Sequence, residues 1–287
     1  MRVLIVHCEY RQAGGEDAVV KQEVALLEQY GCVTSVLLFN NRQPLFKLIL
    51  YPFNPFTYFE TRKRIKDFRP QVVHIHNMHF GASPSILFAA KSLGVPVVGT
   101  LHNYRAICPS ATLFHNGRLF LHSLHQKFPR TAVLHRVYKN SWLLSAWVSF
   151  CVYMQRRWEV WKKFDRLIVL TQFSRSLLLK SPLQLLPDKV VVKSNFTFEP
   201  ASPNEHQRKK YFLFVGRLSP EKGISVLLEA FQNSDHQLKI AGDGPLRGLV
   251  TKACDFAPNI QYVGAQESTA IQSLMQECTA LVFPSVW

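Results

Sequence analysis

The sequence lacks the features of an exported or membrane-spanning chain. Its six cysteines, Cys8, Cys32, Cys108, Cys151, Cys254 and Cys278, form no C-x-x-C pair and fall at no zinc-site spacing with histidine, so neither a disulfide framework nor a metal cluster is expected. The start, Met1-Arg-Val-Leu-Ile-Val-His7, runs straight into a strand pattern, without the longer apolar stretch and small-residue cleavage site of a signal peptide. The aromatic, apolar run from Ser141 to Tyr153 falls short of the roughly 20 residues that cross a bilayer. Acidic residues are scarce: 19 Asp and Glu stand against 34 Lys and Arg, a net charge of +15. Such a surplus favours polyanionic partners, whether nucleic acid, anionic lipid headgroups or phosphorylated ligands. A reducing, cytosolic compartment is the expectation.

What is present is a globular composition, 47% apolar and 18% charged over 287 residues, enough for two ordinary domains or one large one. Short Val/Ile/Leu-rich runs alternate with segments of helical period, the pattern of a parallel sheet covered on both faces. Strands are predicted over Arg2 to His7, Val33 to Phe39, Val72 to Ile75, Val95 to Thr100, Arg166 to Leu170 and Lys189 to Lys193, with helices over Asp17 to Tyr30 and Ser83 to Leu93. A polar stretch with prolines, 198–210, reads as a linker between an N-terminal domain, 1–197, and a second one, 211–287. After it the rhythm restarts, with strands Tyr211 to Val215, Gln237 to Ala241, Ile260 to Val263 and Ala280 to Phe283. Helices Pro220 to Phe231, Leu246 to Phe256 and Glu267 to Glu277 lie between. The expected fold is therefore α/β, two tandem Rossmann-like doubly wound parallel sheets, the second incomplete. The chain stops just after a buried-looking strand, where a ligand-binding loop should begin, so a truncation is expected.

Basic residues cluster at Arg62, Lys63, Arg64 and Lys66, and again at Arg156, Arg157, Lys162, Lys163 and Arg166. With the Trp- and Tyr-bearing run before it, the second cluster fits either a helix lying at an anionic membrane surface or a core helix with a solvated basic face.

Three glycine turns follow strands and open helices. Gly14-Gly15 precedes Glu16 and Asp17, where free helix N–H groups and the absence of side chains would suit an anion or a polar ligand; a tight turn is the plainer alternative. Gly216-Arg217-Leu218-Ser219-Pro220-Glu221-Lys222-Gly223 has Ser219 as a candidate cap and Pro220 in the first turn, aiming Arg217 and Lys222 at one cleft. Two cations there would stabilise the charge growing on a departing diphosphate. Ala241-Gly242-Asp243-Gly244-Pro245 would admit close backbone contact with a nucleotide.

These motifs, with Val263-Gly264 and Ala280-Leu-Val-Phe-Pro-Ser285, resemble in order and spacing the donor-binding half of family 4 glycosyltransferases of GT-B fold. Gly14-Gly15-Glu16-Asp17, Val73-His-Ile-His76 and Gly99-Thr-Leu-His102-Asn-Tyr-Arg-Ala-Ile-Cys-Pro109 resemble the subgroup that builds bacterial surface polysaccharides. The resemblance implies retaining transfer of a sugar from a nucleotide-diphosphate sugar to an acceptor hydroxyl, in a cleft between two Rossmann domains, without a metal or another cofactor. It implies that Arg217 and Lys222 hold the diphosphate and that His102 contacts the donor sugar near the reacting centre. Gly14, Gly15, Gly216, Gly242, Gly244, Val263, Gly264 and Ser285 would line the donor. Partners would be the nucleotide-diphosphate sugar, a glycan or lipid-linked acceptor and an anionic membrane surface, the protein being cytoplasmic and peripheral on the inner face of the membrane.

The family continues beyond the Pro-Ser step into a motif with two glutamates, which is missing here, so a weakly active or inactive polypeptide is expected. Glu9, Glu16 and Asp17 belong to the opposite domain and offer no substitute. Two other classes compete: an inactive gene remnant, and a basic nucleic-acid-binding module. Against the latter, no zinc-finger spacing, RNP-type aromatic motif or single basic recognition helix is present.

Overall fold

The computed structural model describes residues 1–9, 15–41, 49–198 and 208–286. The chain divides into two units, Met1–His115 with Phe120–Phe198, and Asn116–Leu119 with Glu199–Trp287. Most of the expected linker, 199–207, lies outside the described residues.

The first unit opens with β1 (Arg2–Glu9), α1 (Gly15–Gln29), β2 (Val33–Asn40), α2 (Pro55–Phe68), β3 (Val72–Ile75), α3 (Ser85–Lys91) and β4 (Val97–Leu101). Next in the chain come two short strands, β5 (Phe114–His115) in this unit and β6 (Arg118–Leu119), whose residues fall within Asn116–Leu119 of the other. Then follow α4 (Arg130–Leu134), α5 (Trp142–Arg157), β7 (Arg166–Val169), α6 (Gln172–Leu179) and β8 (Val190–Val192). Six parallel strands stand in the order β2-β1-β3-β4-β7-β8. The chain therefore winds outward from β1 in one direction, then jumps back past it to β3. That reversal opens a crevice beyond the carboxyl ends of β1 and β3, the place where doubly wound sheets take ligands.

Apolar runs covered on both faces explain the strands: Val3 to Cys8 of β1 are all buried, as are Val73, Val97, Leu167 and Val169. Helix boundaries follow local chemistry. Asn54 caps α2 by accepting from the backbone N–H groups of Phe56 and Thr57, with Pro55 in the first turn. The helix expected from Ser83 begins at Ser85 because Ser83 itself holds a positive φ of 59°. The strand expected from Val95 begins at Val97, since Val95 donates back to Ala90 of the preceding helix and Pro96 has no N–H.

The Ser141–Tyr153 run forms most of α5. One face is buried through Ser145, Val148, Ser149, Cys151, Val152 and Gln155, while Trp142 and Leu143 at its start are exposed. Arg156 corrects the picture of a basic cluster turned to solvent. Its guanidinium donates to the carbonyls of Gln126, Lys127 and Ile107 at 2.6, 3.1 and 2.7 Å, and burial lowers its pKa to about 10. Lys162 is likewise paired, with Glu159 at 2.8 Å.

In the second unit β9 (Tyr211–Val215), α7 (Ile224–Gln232), β10 (Gln237–Ala241), α8 (Arg247–Phe256), β11 (Ile260–Gly264), α9 (Ser268–Glu277) and β12 (Ala280–Leu281) form a parallel sheet of order β11-β10-β9-β12. Here the winding reverses between β9 and β12. Phe214, Leu218, Ile224, Leu227, Leu238, Ile240 and Val250 fill its core. The helix expected from Pro220 is interrupted: Pro220–Lys222 make one 3-10 turn, Gly223 turns at φ 68°, and α7 starts at Ile224. No helix among the described residues is long and apolar enough to cross a membrane.

Candidate active site

In the second unit the loops after β9, β10 and β11 are laced to one another through backbone. Gly216 donates to Ala241, Leu218 to Asp243, Leu246 to Leu218, and Gly242 to Gly264, at 2.8 to 3.0 Å. The Tyr262 hydroxyl adds a bond to the Gly242 carbonyl at 2.9 Å. This close approach is why glycine stands where it does. A Cβ on Gly242 would lie 1.9 Å from the Gly216 oxygen, one on Gly244 would lie 2.5 Å from the Leu218 oxygen, and one on Gly223 would lie 2.0 Å from the Pro284 oxygen. The segment after β12 is tied in by Val286, which donates to the Glu221 carbonyl. Gly216, Gly242, Gly244, Val263, Gly264 and Ser285 thus all belong to the carboxyl-end rim of this sheet.

Arg217 and Lys222 lie on the same turn, as expected, but Arg217 is not an isolated cation. Its guanidinium pairs with the Glu221 carboxylate and reaches the Ser219 hydroxyl at 3.3 Å. Ser219 stands at the N-cap position of the 3-10 turn, as expected, but its side chain makes no capping bond; its hydroxyl donates instead to the same Glu221 oxygen at 2.7 Å. Burial, the largest influence, pushes the Glu221 carboxyl up. The hydrogen bonds from Ser219, from its own backbone N–H and from Arg217 outweigh it, leaving the pKa below the usual value. Arg217 remains more than half exposed, and Lys222 is partly buried and makes no ion pair among the described residues.

In the first unit Gly14 lies outside the described residues, and Gly15 is the first residue of α1. The two acids after it bridge to strand ends: Asp17 accepts from His7 at the end of β1 at 2.8 Å, and Glu16 accepts from Asn103 just past β4 at 3.1 Å. His102 follows β4 directly and lines a pocket with His76, Asn77, Gly99, Thr100 and Asn103. Gly99 leaves room there for the Phe164 ring, which a Cβ would meet at 2.6 Å.

His102 belongs to a nest of imidazoles that sequence reasoning did not assemble. His76 Nδ1 stands 3.1 Å from His102 Nε2, and the His74 ring centroid lies 4.2 Å from that of His76. His74 Nε2 is 2.8 Å from the Thr100 hydroxyl, and its Nδ1 is 3.6 Å from Glu23. Lys193, just past β8, completes the set with an ion pair to Glu23 at 3.0 Å. Burial lowers the pKa of His74 and of His102 to about 4 and that of His76 far below the usual value. Neighbouring histidines and Lys193 reinforce it at His76 and His102, while at His74 Glu23 opposes burial without offsetting it, so all three are neutral at pH 7. Glu23, His74 and His76 offer ligand atoms within 4.8 Å of one another, a spacing that would suit a metal, and Lys193 supplies positive charge at the same carboxylate.

Glu23 and Lys193 carried one faint signal in the sequence, a carboxylate in phase with Val20 and Leu27 on an otherwise apolar helix face. His102 lies in the first unit and Arg217 with Lys222 in the second.

Comparison with known proteins places this architecture. Residues 36–196 match the family model described as Glycosyltransferase Family 4, and residues 195–287 the one described as Glycosyl transferases group 1. The D-rhamnosyltransferase WbpZ of Pseudomonas aeruginosa is 37% identical over 87 residues, 28% of this chain and 23% of its own length. The O-antigen chain mannosyltransferase C of Escherichia coli is 34% identical over 77 residues, 26% of this chain and 21% of its own. The chain thus covers well under two thirds of these curated relatives. Among solved structures, WaaG, described as a glycosyltransferase involved in lipopolysaccharide biosynthesis, gives a TM-score of 0.57 at 14% identity, over 100% of this chain and 75% of its own. HepE of Anabaena, solved in complex with UDP, gives 0.56 at 14% identity with the same coverage. Those two likenesses establish the GT-B fold, and since the family 4 model spans more than half of the residues, the chain belongs to Glycosyltransferase Family 4.

Proposed function

We propose that this chain transfers a sugar from a nucleotide-diphosphate sugar to an acceptor hydroxyl, with retention, and that the acceptor is a glycan or lipid-linked precursor of a lipopolysaccharide, capsule or exopolysaccharide. The observation that carries this reading is the turn after β9, where Arg217 and Lys222 stand on a glycine-laced rim at the reversal of the second sheet. As the bond from the anomeric carbon to the diphosphate breaks, negative charge grows on the departing oxygen. Two cations held in place lower the energy of that charge. Glu221 holds the Arg217 fork and leaves its remaining N–H groups for phosphate oxygens. Gly216, Gly242 and Gly244 admit the nucleotide to the backbone, Val263 and Gly264 offer backbone groups to the base, and Ser285 lies beside the same rim. His102, with Gly14 and Gly15, is assigned to the donor sugar and diphosphate. The names of the relatives, which include rhamnosyl and mannosyl transfer and O-antigen assembly, support a deoxyhexose or hexose donor.

The protein is further proposed to act in the cytoplasm, docked on the inner face of the membrane. Support comes from the exposed Leu134, Trp142 and Leu143 with Arg136 and Lys139 beside them.

Titration calorimetry with nucleoside diphosphates, followed by turnover of nucleotide-sugar donors, tests the donor site. Lys222→Ala and Arg217→Ala are each expected to weaken nucleoside-diphosphate binding about 10- to 100-fold, the scale of one charge-assisted hydrogen bond. Unchanged affinity in both variants would remove the proposed diphosphate clamp.

A further inference from the structure

The histidine nest has a consequence for which atom His102 offers to a ligand. His76 is 4% exposed, its Nε2 has no partner, and its Nδ1 faces His102 Nε2 at 3.1 Å. A neutral imidazole carries one proton, and His76 has two places to keep it. On Nε2 it would be a buried N–H donor with nothing to receive it, the rarer and costlier kind of orphan; on Nδ1 it makes the bond to His102 and leaves only a bare lone pair unpaired.

We propose that His76 is the positioning residue for His102: it donates Nδ1–H to His102 Nε2 and so fixes His102 as the Nδ1–H tautomer, which presents a donor and not a base to its ligand. The partner of His102 must then be an acceptor oxygen, a sugar hydroxyl or a phosphate oxygen, and His102 removes no proton through that nitrogen. The neighbours hold this arrangement from every side. Glu23 on α1, neutralised by Lys193 past β8, favours the proton on His74 Nδ1, so His74 Nε2 accepts from Thr100 and its ring backs that of His76. From β1, His7 stands edge-on to His76 with its Nε2 bonded to Asp17. The sugar-contact role of His102 rests on the proposed function; its tautomer does not.

Long-range proton–nitrogen NMR on histidine-labelled full chain reads the tautomer directly, with His102 assigned by the signals lost in His102→Gln. A bare Nε2 and a protonated Nδ1, unchanged between roughly pH 6 and 8, are expected. A protonated Nε2 on His102 in the wild-type chain would overturn the proposal, whatever any variant does. In His76→Phe the Nε2-protonated form should appear, and transfer should fall about tenfold in kcat/KM, the size of one misdirected hydrogen bond. If His76→Phe leaves the His102 tautomer unchanged, His76 is not what sets it. If the tautomer is as stated but His102→Gln transfers sugar at wild-type rate, the sugar-contact role fails and the tautomer stands.

Discussion

Three neutral histidines inside one unit make that unit sensitive to acid. Burial lowers His74 and His102 from the ordinary 6.5 to about 4, and His76 further still. Below pH 6.5 the unfolded chain takes up protons at these sites while the folded chain does not, so stability is full above that pH and is lost as pH falls toward 4. Each histidine contributes up to about 1.4 kcal/mol per pH unit across that window. Thermal melts should therefore shift to lower temperature between pH 7 and pH 5, and a smaller shift is expected for His74→Phe; equal melting temperatures for the wild type at the two pH values would contradict the neutral nest. Glu221 responds over a lower range. Its pKa is depressed, so its stabilising bonds to Arg217 and Ser219 are complete above the ordinary carboxylate value of 4.5 and fail only as pH drops through the lowered one. Glu221→Gln should cost about 1 to 3 kcal/mol at pH 7, measurable by urea unfolding.

At the level of elements, the glycine turns of the second unit and an exposed helical glycine give opposite expectations for the same substitution. Gly242→Ala forces a Cβ against the Gly216 carbonyl at a φ of 143°, and should destabilise by at least about 2 kcal/mol while loosening the glycine-laced rim. Gly248→Ala in α8 meets open space and should stabilise by about 0.5 to 1 kcal/mol. Parallel urea melts of the two variants check both signs. What was legible in the sequence follows the same division. The apolar runs Val3 to Val6 of β1 and Tyr211 to Val215 of β9 announce themselves, because strands covered on both faces need unbroken apolar side chains. The break at Gly223 was hidden, since the apolar spacing of Ile224, Leu227 and Leu228 continues smoothly from Pro220 and only the αL turn ends the 3-10 segment. The approach of His76 to His102 was equally hidden. It depends on β3 pairing with β4 in the register Ile75 to Gly99, a long-range fact that no local window contains. Arg217 was found and its partner Glu221 missed, because a charge four residues away reads as solvent-facing until the 3-10 turn folds it inward.

For the molecule as a whole, the surplus of +15 has to be divided between cations used internally and cations that face outward. Arg156 belongs to the first group, as does Arg105, buried between the Phe80 and Tyr138 rings at 4.7 and 5.3 Å, while Lys162 is paired at the surface with Glu159. Arg136 and Lys139 belong to the second, and they flank Leu134, Trp142 and Leu143, which are 71%, 55% and 71% exposed. Lys139 stands over the Tyr138 ring at 5.9 Å, and neither cation has an ion pair among the described residues. Large apolar side chains left in water near such cations would suit the interface of an anionic bilayer, where the rings and aliphatic groups enter the headgroup layer and each cation gains about 1 kcal/mol. Flotation with phosphatidylglycerol-containing vesicles should carry the protein upward, and salt of about 0.5 M should weaken the association by screening. Combined Arg136→Glu and Lys139→Glu substitution should lower vesicle partitioning at least tenfold, and Trp142→Ala with Leu143→Ala should do so even at high salt, since that part of the attraction is apolar. Arg156→Ala would be a misleading probe, because it removes three internal hydrogen bonds and unsettles the 103–128 segment. If the charge-reversed and aromatic-deleted variants float as the wild type does, the +15 surplus is solvated charge and the membrane-docking reading fails.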